Sequence, residues 1–213
     1  MPEPGTIKLK ICGMRDPGNI GMVAALAPHY MGFIFFKGSK RFVGNGFEIP
    51  KSIPSGIKKV GVFVNDSTHE IIRLAEYHAL DFIQLHGGEP VEQCKEVRNN
   101  GLGVIKVFTV DEDFDFERVN PFKGFVDYLL FDTKGKNFGG NSIAFDWKIL
   151  EKYDQEVPFF LSGGISPKNI TEVDALREMN LHAVDVNSGV EKEVGLKDTE
   201  LIKELLQSFN FDS

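Results

Sequence analysis

Eight short apolar runs, each closing on a polar or glycine tip, constrain this chain more than any other feature. They are Ile7–Cys12, Met31–Phe36, Lys59–Val64, Asp81–Leu85, Gly103–Phe108, Val126–Phe131, Val157–Leu161 and Ala183–Val186. Runs of this length bounded by turn residues read as buried strands. Between most of them lies a segment of helical spacing. Asp16–Ala27 sets Ile20, Val23, Ala24 and Ala27 on one face, and Thr68–His78, Pro90–Arg98, Pro167–Met179 and Thr199–Phe209 repeat the pattern. Strand and helix in alternation imply parallel strands joined by right-handed crossovers. Eight units in 213 residues average about 27 each, lean but sufficient for a closed barrel. An open doubly wound sheet more often uses about five or six strands. The expected fold is therefore α/β: a single-domain (β/α)8 TIM barrel over residues 1–213, with 42% hydrophobic residues to fill one core. Two crossovers should be irregular. The stretch VGNGFEIPKSIPSGIK holds three glycines and two prolines, and the acidic Asp111–Lys123 should form a short fifth helix at most.

The strongest local signal is PFFLSGGISPKN, Pro158 to Asn169. A strand, Phe159-Phe160-Leu161, stops at Ser162-Gly163-Gly164, and Ser166-Pro167 reads as the start of a helix, with the serine as cap. Glycines that let backbone N–H groups approach an anion suit phosphate, although a glycine pair after a strand is by default a tight turn. The next strand ends in Asn187-Ser188-Gly189. Two adjacent strand ends of this kind would make one anion cup, as in the last two units of a barrel.

Charge narrows the partners. A net charge of −7 disfavours nucleic acid or an anionic membrane as the main partner. The start MPEPGTIKLKICG has no apolar core of signal-peptide kind, and no run approaches membrane-spanning length. Two cysteines, Cys12 and Cys94, fit a reduced cytoplasmic protein.

Strand alternation indicates which side chains face the barrel axis. In Lys8-Leu9-Lys10-Ile11-Cys12 the helix layer wants Leu9 and Ile11, so Cys12 points inward at the strand's C-terminal end. Asp132 ends the sixth strand, Gln84 and His86 share a face of the fourth, and Asp185 and Asn187 share one on the eighth. Active sites on this fold occupy that rim. Plainer readings stand beside these. Cys12 is a small buried filler; Asp132 is a turn residue or a partner for Lys134; His86 bonds loop backbone. Asp185 pairs with Lys10 or Lys8 inside the barrel, Arg41 belongs to a solvated basic run, and Phe33, Phe35 and Phe36 are core.

Taken together, KICGMRDP (Lys10–Pro17), GFIFFKGSKRFV (Gly32–Val43), VGVFVN (Val60–Asn65), IQLHGGE (Ile83–Glu89), FDTKGKNFGG (Phe131–Gly140), FDW (Phe145–Trp147), LSGGISPKN (Leu161–Asn169), VDVNSGVE (Val184–Glu191) and GLKD (Gly195–Asp198) resemble the phosphoribosylanthranilate isomerases of tryptophan biosynthesis. The likeness spans nearly the whole chain. It implies an aldose–ketose isomerase that performs an Amadori rearrangement without cofactor or metal, as a cytoplasmic monomer or homodimer acting on a small phosphorylated substrate. It also implies that Cys12 is the general base and Asp132 the general acid, that Arg41 holds the anthranilate carboxylate, and that Gly163, Gly164, Asn187, Ser188 and Gly189 cup the phosphate. Gln84, His86 and Asp185 would line the cavity. Asn187 stands where many relatives have serine, and Asn141-Ser142 interrupts a glycine-rich stretch.

The chemistry asks for these groups. Opening a furanose needs an acid that keeps a proton near neutrality, hence a carboxyl with a raised pKa. Removing the C2′ proton needs a base, and a thiolate favoured by neighbouring lysines would serve. The rivals are the two-phosphate isomerase of histidine biosynthesis, which pairs two aspartates, a metal-dependent epimerase, and a catalytically silent phosphosugar-binding barrel. The first strand's cysteine and the lack of metal-ligand spacing speak against the first two. The presence of both Cys12 and Asp132 speaks against the third.

Overall fold

The computed structural model describes residues 7–133 and 147–211. Eight strands, β1 (Lys8–Ile11), β2 (Tyr30–Ile34), β3 (Lys58–Phe63), β4 (Phe82–Leu85), β5 (Gly103–Val110), β6 (Tyr128–Thr133), β7 (Phe159–Ser162) and β8 (Leu181–Val186), close into a barrel in chain order. Every pairing is parallel, and β1 joins β8 through Lys8↔Ala183 to Ile11↔Val186. All strand C-termini therefore share one rim.

Alternation divides the core into two shells. Leu9, Ile11, Met31, Phe33, Ile83, Leu85, Leu129 and Phe131 face the outer layer, where they meet the crossover segments. The axis is filled by Tyr30, Val60, Ile105, Val107, Leu130, Phe160 and Ala183, with Cys12, Ile34 and Val62 above them. The N-terminal end of the axis is an aromatic plug: Tyr128 stacks on His182 with ring centroids 4.1 Å apart, and Phe160 meets Tyr30 edge-on at 5.2 Å. His182 Nε2 lies 2.8 Å from the Tyr30 hydroxyl. Burial drives its pKa down to about 4, so the ring is neutral at physiological pH.

The crossovers are uneven. Helix α1 (Pro17–Ala24) is capped by Asp16, whose carboxylate accepts from the Asn19 N–H, and α2 (Thr68–His78) is capped by Ser67. Helices α3 (Val91–Asn99) and α4 (Thr199–Ser208) complete the α-helices among the described residues. The second crossover has no helix, and the fifth holds a 3-10 helix, Phe116–Phe122, with Pro121 inside it, both as expected. The seventh departs from expectation. Instead of a helix opened by Ser166-Pro167, a 3-10 segment begins at Ile170. Asn169 competes successfully for the local hydrogen bonds: its Oδ1 accepts from the Ser166 N–H, and its Nδ2 donates to the Gly164 carbonyl. The Ser166 carbonyl accepts from the Asn169 and Ile170 N–H groups, while its hydroxyl donates to Asn169 Oδ1 at 3.4 Å instead of accepting from a backbone N–H as a cap would. The described part of the sixth crossover likewise holds a 3-10 helix, Trp147–Lys152. Of the phenylalanine trio, Phe33 is fully buried, Phe35 stacks on Phe63 at 5.1 Å, and Phe36 is exposed, contrary to its expected place in the core. After β8 the chain adds an unexpected hairpin, β9 (Glu191–Glu193) and β10 (Leu196–Lys197).

Candidate active site

At the C-terminal rim, β1 delivers Cys12, whose N–H donates to the Val186 carbonyl at 2.9 Å. Glycine at position 32 on the neighbouring strand is what makes room for it, because an added Cβ there would lie 2.6 Å from Cys12 Sγ. Cys12 opens on a cavity of about 210 Å³ that Asp132 lines from the opposite wall. Gln84 and His86 from β4, and Asp185 from β8, line it too. So do Gly163 and Gly164 beyond β7, and Asn187, Ser188 and Gly189 beyond β8. Alternation of period two along fixed strands thus brings all but one of the predicted residues to one cavity.

The exception is Arg41. It reaches the rim beside Gly13 and Asn187 but does not line the cavity. Its Nε and Nη2 donate to the two carboxylate oxygens of Glu191 at 2.8 and 2.6 Å, so it is no solvated member of a basic run. Nη1 has no partner among the described residues. Asp185 meets its plainer expectation: Lys10, wholly buried, donates to Asp185 Oδ2 at 2.9 Å. The other carboxylate oxygen, Oδ1, is the one buried side-chain polar atom without a partner among the described residues. His86 is held by its side chain, with Nδ1 3.2 Å from Gln84 Nε2 and Nε2 3.6 Å from Asp132 Oδ2.

The glycine turns form a backbone cradle. Gly163 and Gly164 have φ of 113° and 67°, and a Cβ on Gly189 would fall 1.9 Å from the Ile165 carbonyl oxygen. Only glycine permits that approach. The N–H groups of Gly164, Ser188 and Gly189 donate to no acceptor among the described residues.

Two residues with no assigned role prove central. Lys197, fully buried, donates to Asn187 Oδ1 at 2.7 Å, to the Asn187 carbonyl at 3.1 Å and to Glu191 Oε1 at 2.7 Å. Glu191 in turn accepts from Arg41 and from the Gly195 N–H. Opposite charges six residues apart around Gly195 were a hairpin signal, and they fall in register, Lys197↔Glu191. Burial lowers the Lys197 pKa, with Glu191 opposing. For Cys12 burial is again the largest effect: it raises the thiol pKa above the ordinary value, and Lys10 and Lys197 recover only part of that rise. The expected lysine effect exists, but desolvation exceeds it. Farther along the rim, Lys106 and Glu89 form a third buried pair at 2.7 Å beneath the 86–89 turn.

A larger cavity, about 670 Å³, lies between the helix-free second crossover and α2. It contains none of the predicted site residues, so size does not identify the chemistry here. Among the described residues no group of His, Cys, Asp and Glu could hold a metal ion, and no helix is long and apolar enough to cross a membrane. Lys134, Gly139, Gly140 and the Asn141-Ser142 departure lie outside the described residues.

A closed eight-stranded barrel, with a thiol and a carboxyl lining one glycine-edged cavity at its C-terminal rim, defines the class: a (β/α)8-barrel enzyme of aldose–ketose isomerase type. Residues 9–208 match the family of N-(5'phosphoribosyl)anthranilate (PRA) isomerase, and the chain belongs to that family. It is 43% identical over 202 residues to the N-(5'-phosphoribosyl)anthranilate isomerase of Parabacteroides distasonis, covering 93% of this chain and 91% of the relative. The crystal structure of phosphoribosyl anthranilate isomerase from Thermotoga maritima superposes with a TM-score of 0.81 at 32% identity, covering 95% of this chain and 98% of that one. Another structure of this isomerase, in complex with reduced 1-(o-carboxyphenylamino)-1-deoxyribulose 5-phosphate, gives 0.79 at 31% identity over 95% and 97%.

Proposed function

We propose that this chain, as one barrel domain in the cytoplasm, converts N-(5-phosphoribosyl)anthranilate to 1-(2-carboxyphenylamino)-1-deoxyribulose 5-phosphate in tryptophan biosynthesis. The observation that carries the reading is the meeting of Cys12 and Asp132 on one glycine-cupped cavity. Asp132 protonates the furanose ring oxygen as the C1′–O bond breaks, and the anthranilate nitrogen's lone pair forms the iminium. Cys12, as thiolate, takes the C2′ proton, and the C2′–H electron pair moves to give an enolamine. Loss of the 2′-hydroxyl proton and protonation at C1′ complete the keto amine, so no redox partner or metal enters the balance.

The substrate's two anionic ends account for the remaining groups. Phosphate accepts from the N–H groups of Gly164, Ser188 and Gly189, the kind of backbone cup that holds an anion without a cationic side chain. Asn187, on the same turn, is oriented by Lys197. Asp185 Oδ1 takes a sugar hydroxyl, which resolves the unpartnered buried oxygen. Arg41, held side-on by Glu191, offers Nη1 and the free N–H of Nη2 end-on to the anthranilate carboxylate. Because Cys12 is held protonated by burial, the productive form is a minority that the positive charge of Lys10 and Lys197 sustains.

The test follows the loss of substrate fluorescence with purified protein. Asp132→Asn should lower kcat by about 10²–10⁴-fold while product still binds. Near-normal turnover in that variant removes Asp132 as the acid.

A further inference from the structure

Hydrogen-bond polarity along the cavity floor points to the position of a proton on His86. The Lys10 ammonium lies 2.8 Å from the Gln84 side chain and 2.9 Å from Asp185, and has no exposed surface. An ammonium only donates, so the Gln84 atom facing it is the carbonyl oxygen. The Gln84 NH2 must then point the other way, where it meets His86 Nδ1 at 3.2 Å. An amide NH2 also only donates, so Nδ1 is the bare nitrogen of the neutral ring and the proton sits on Nε2. That nitrogen faces Asp132 Oδ2 at 3.6 Å.

We propose that Gln84, anchored by Lys10, is a positioning residue that holds His86 in the Nε2–H tautomer, aimed at the Asp132 carboxyl. The proposal deepens the assignment of Asp132 as the acid and rests on it. As Asp132 surrenders its proton to the ring oxygen, negative charge grows on its oxygens. An N–H already oriented toward them stabilises that charge more in the transition state than before it. The opposite tautomer would turn a lone pair toward the developing carboxylate. At 3.6 Å the contact is longer than a hydrogen bond, and contacts of this kind shorten when ligand fills a site. Gln84 is itself buried at 2% exposure, so water does not compete for its amide.

The decisive measurement is the pair of ring-nitrogen chemical shifts of His86 in ¹⁵N-histidine-labelled protein, at a pH where the ring is neutral. Its signals among the five histidines are identified by their loss in His86→Asn. The wild-type protein should carry the proton on Nε2. Gln84→Met should give a mixture of tautomers and lower kcat by about 10- to 100-fold, below the loss of a full oxyanion donor, with KM little changed. Gln84→Glu keeps a partner for Lys10 but only accepts, so in the neutral ring the proton should move to Nδ1. A wild-type ring protonated on Nδ1 overturns the proposal, as does a Gln84→Met protein with a redistributed tautomer and unchanged kcat. If Gln84→Met fails to fold, Gln84→Glu decides: a neutral ring still protonated on Nε2 in that variant overturns the proposal. Normal turnover by Asp132→Asn would instead defeat the acid assignment and leave the tautomer standing.

Discussion

The two walls of the cavity are built in opposite ways. On the β1–β8 wall, Cys12 is 4% exposed and sits among side chains locked to one another: Lys10 on Asp185, Lys197 on Asn187 and Glu191, Glu191 on Arg41. On the β4–β6 wall, the side chains of His86 and Asp132 keep 34% and 25% of their surface and approach only to 3.6 Å. The buried wall obtains its geometry from ion pairs that are favourable only while complete, since a stranded partner keeps its desolvation cost. It also holds the thiol protonated. The open wall leaves its carboxyl in contact with solvent, so its environment is set largely by what enters the cavity. The proposed base and the proposed acid thus stand in different surroundings, one closed by the fold and one open to whatever enters the cavity.

This contrast can be broken at several points. The largest effect belongs to the two groups proposed to react: Cys12→Ser should cripple turnover by about 10²–10⁴-fold, as Asp132→Asn should, and wild-type kcat in the serine variant would mean that the thiol is structural. Next comes the brace. Lys197→Met leaves Glu191 and Asn187 without their buried donor and should cost about 3–5 kcal/mol in urea unfolding, whereas His86→Asn on the open wall should cost well under that. Equal costs would erase the distinction between the walls. Arg41→Ala should mainly raise KM, and an unchanged KM would take the arginine out of the site.

The pH profile sharpens the same point. Because burial lifts the Cys12 pKa above its ordinary value, the thiolate fraction in the free enzyme grows with pH, and kcat/KM should climb from neutrality through the ordinary thiol range. A plateau below about pH 8 would contradict a buried thiol as the base. The smallest effect lies at the far end of the barrel. His182 binds its proton more weakly folded than unfolded, so stability is full above pH 6.5 and declines as pH falls toward about 4. His182→Phe should flatten that decline in acid-unfolding curves.

Much of this was legible in the chain. Strand order, parallel pairing and the inward face of Cys12, Gln84, Asp132 and Asp185 follow from apolar runs with a period of two, because a barrel leaves each side chain only two directions. Ser166 failed as a helix cap for a local reason, since Asn169 three residues on offers a better acceptor and also latches Gly164. The partnership of Glu191 with Lys197 is not legible in the strand pattern, because it forms within a seven-residue hairpin beyond the last barrel strand, where the alternation that orders the strand ends does not reach.

The amino-acid sequence by itself determined the barrel, the rim on which chemistry happens, the glycine turns and the family. Those depend on periodicity and on backbone conformations that only certain residues permit. Tertiary structure alone decided that Arg41 is clasped by Glu191, that Asp185 takes Lys10 and not Lys8, and that burial pushes the Cys12 thiol pKa up. Charge pairing and desolvation depend on distance and burial in space. Neither is encoded locally, so the lysines near Cys12 were visible in the chain while the dry surroundings that outweigh them were not.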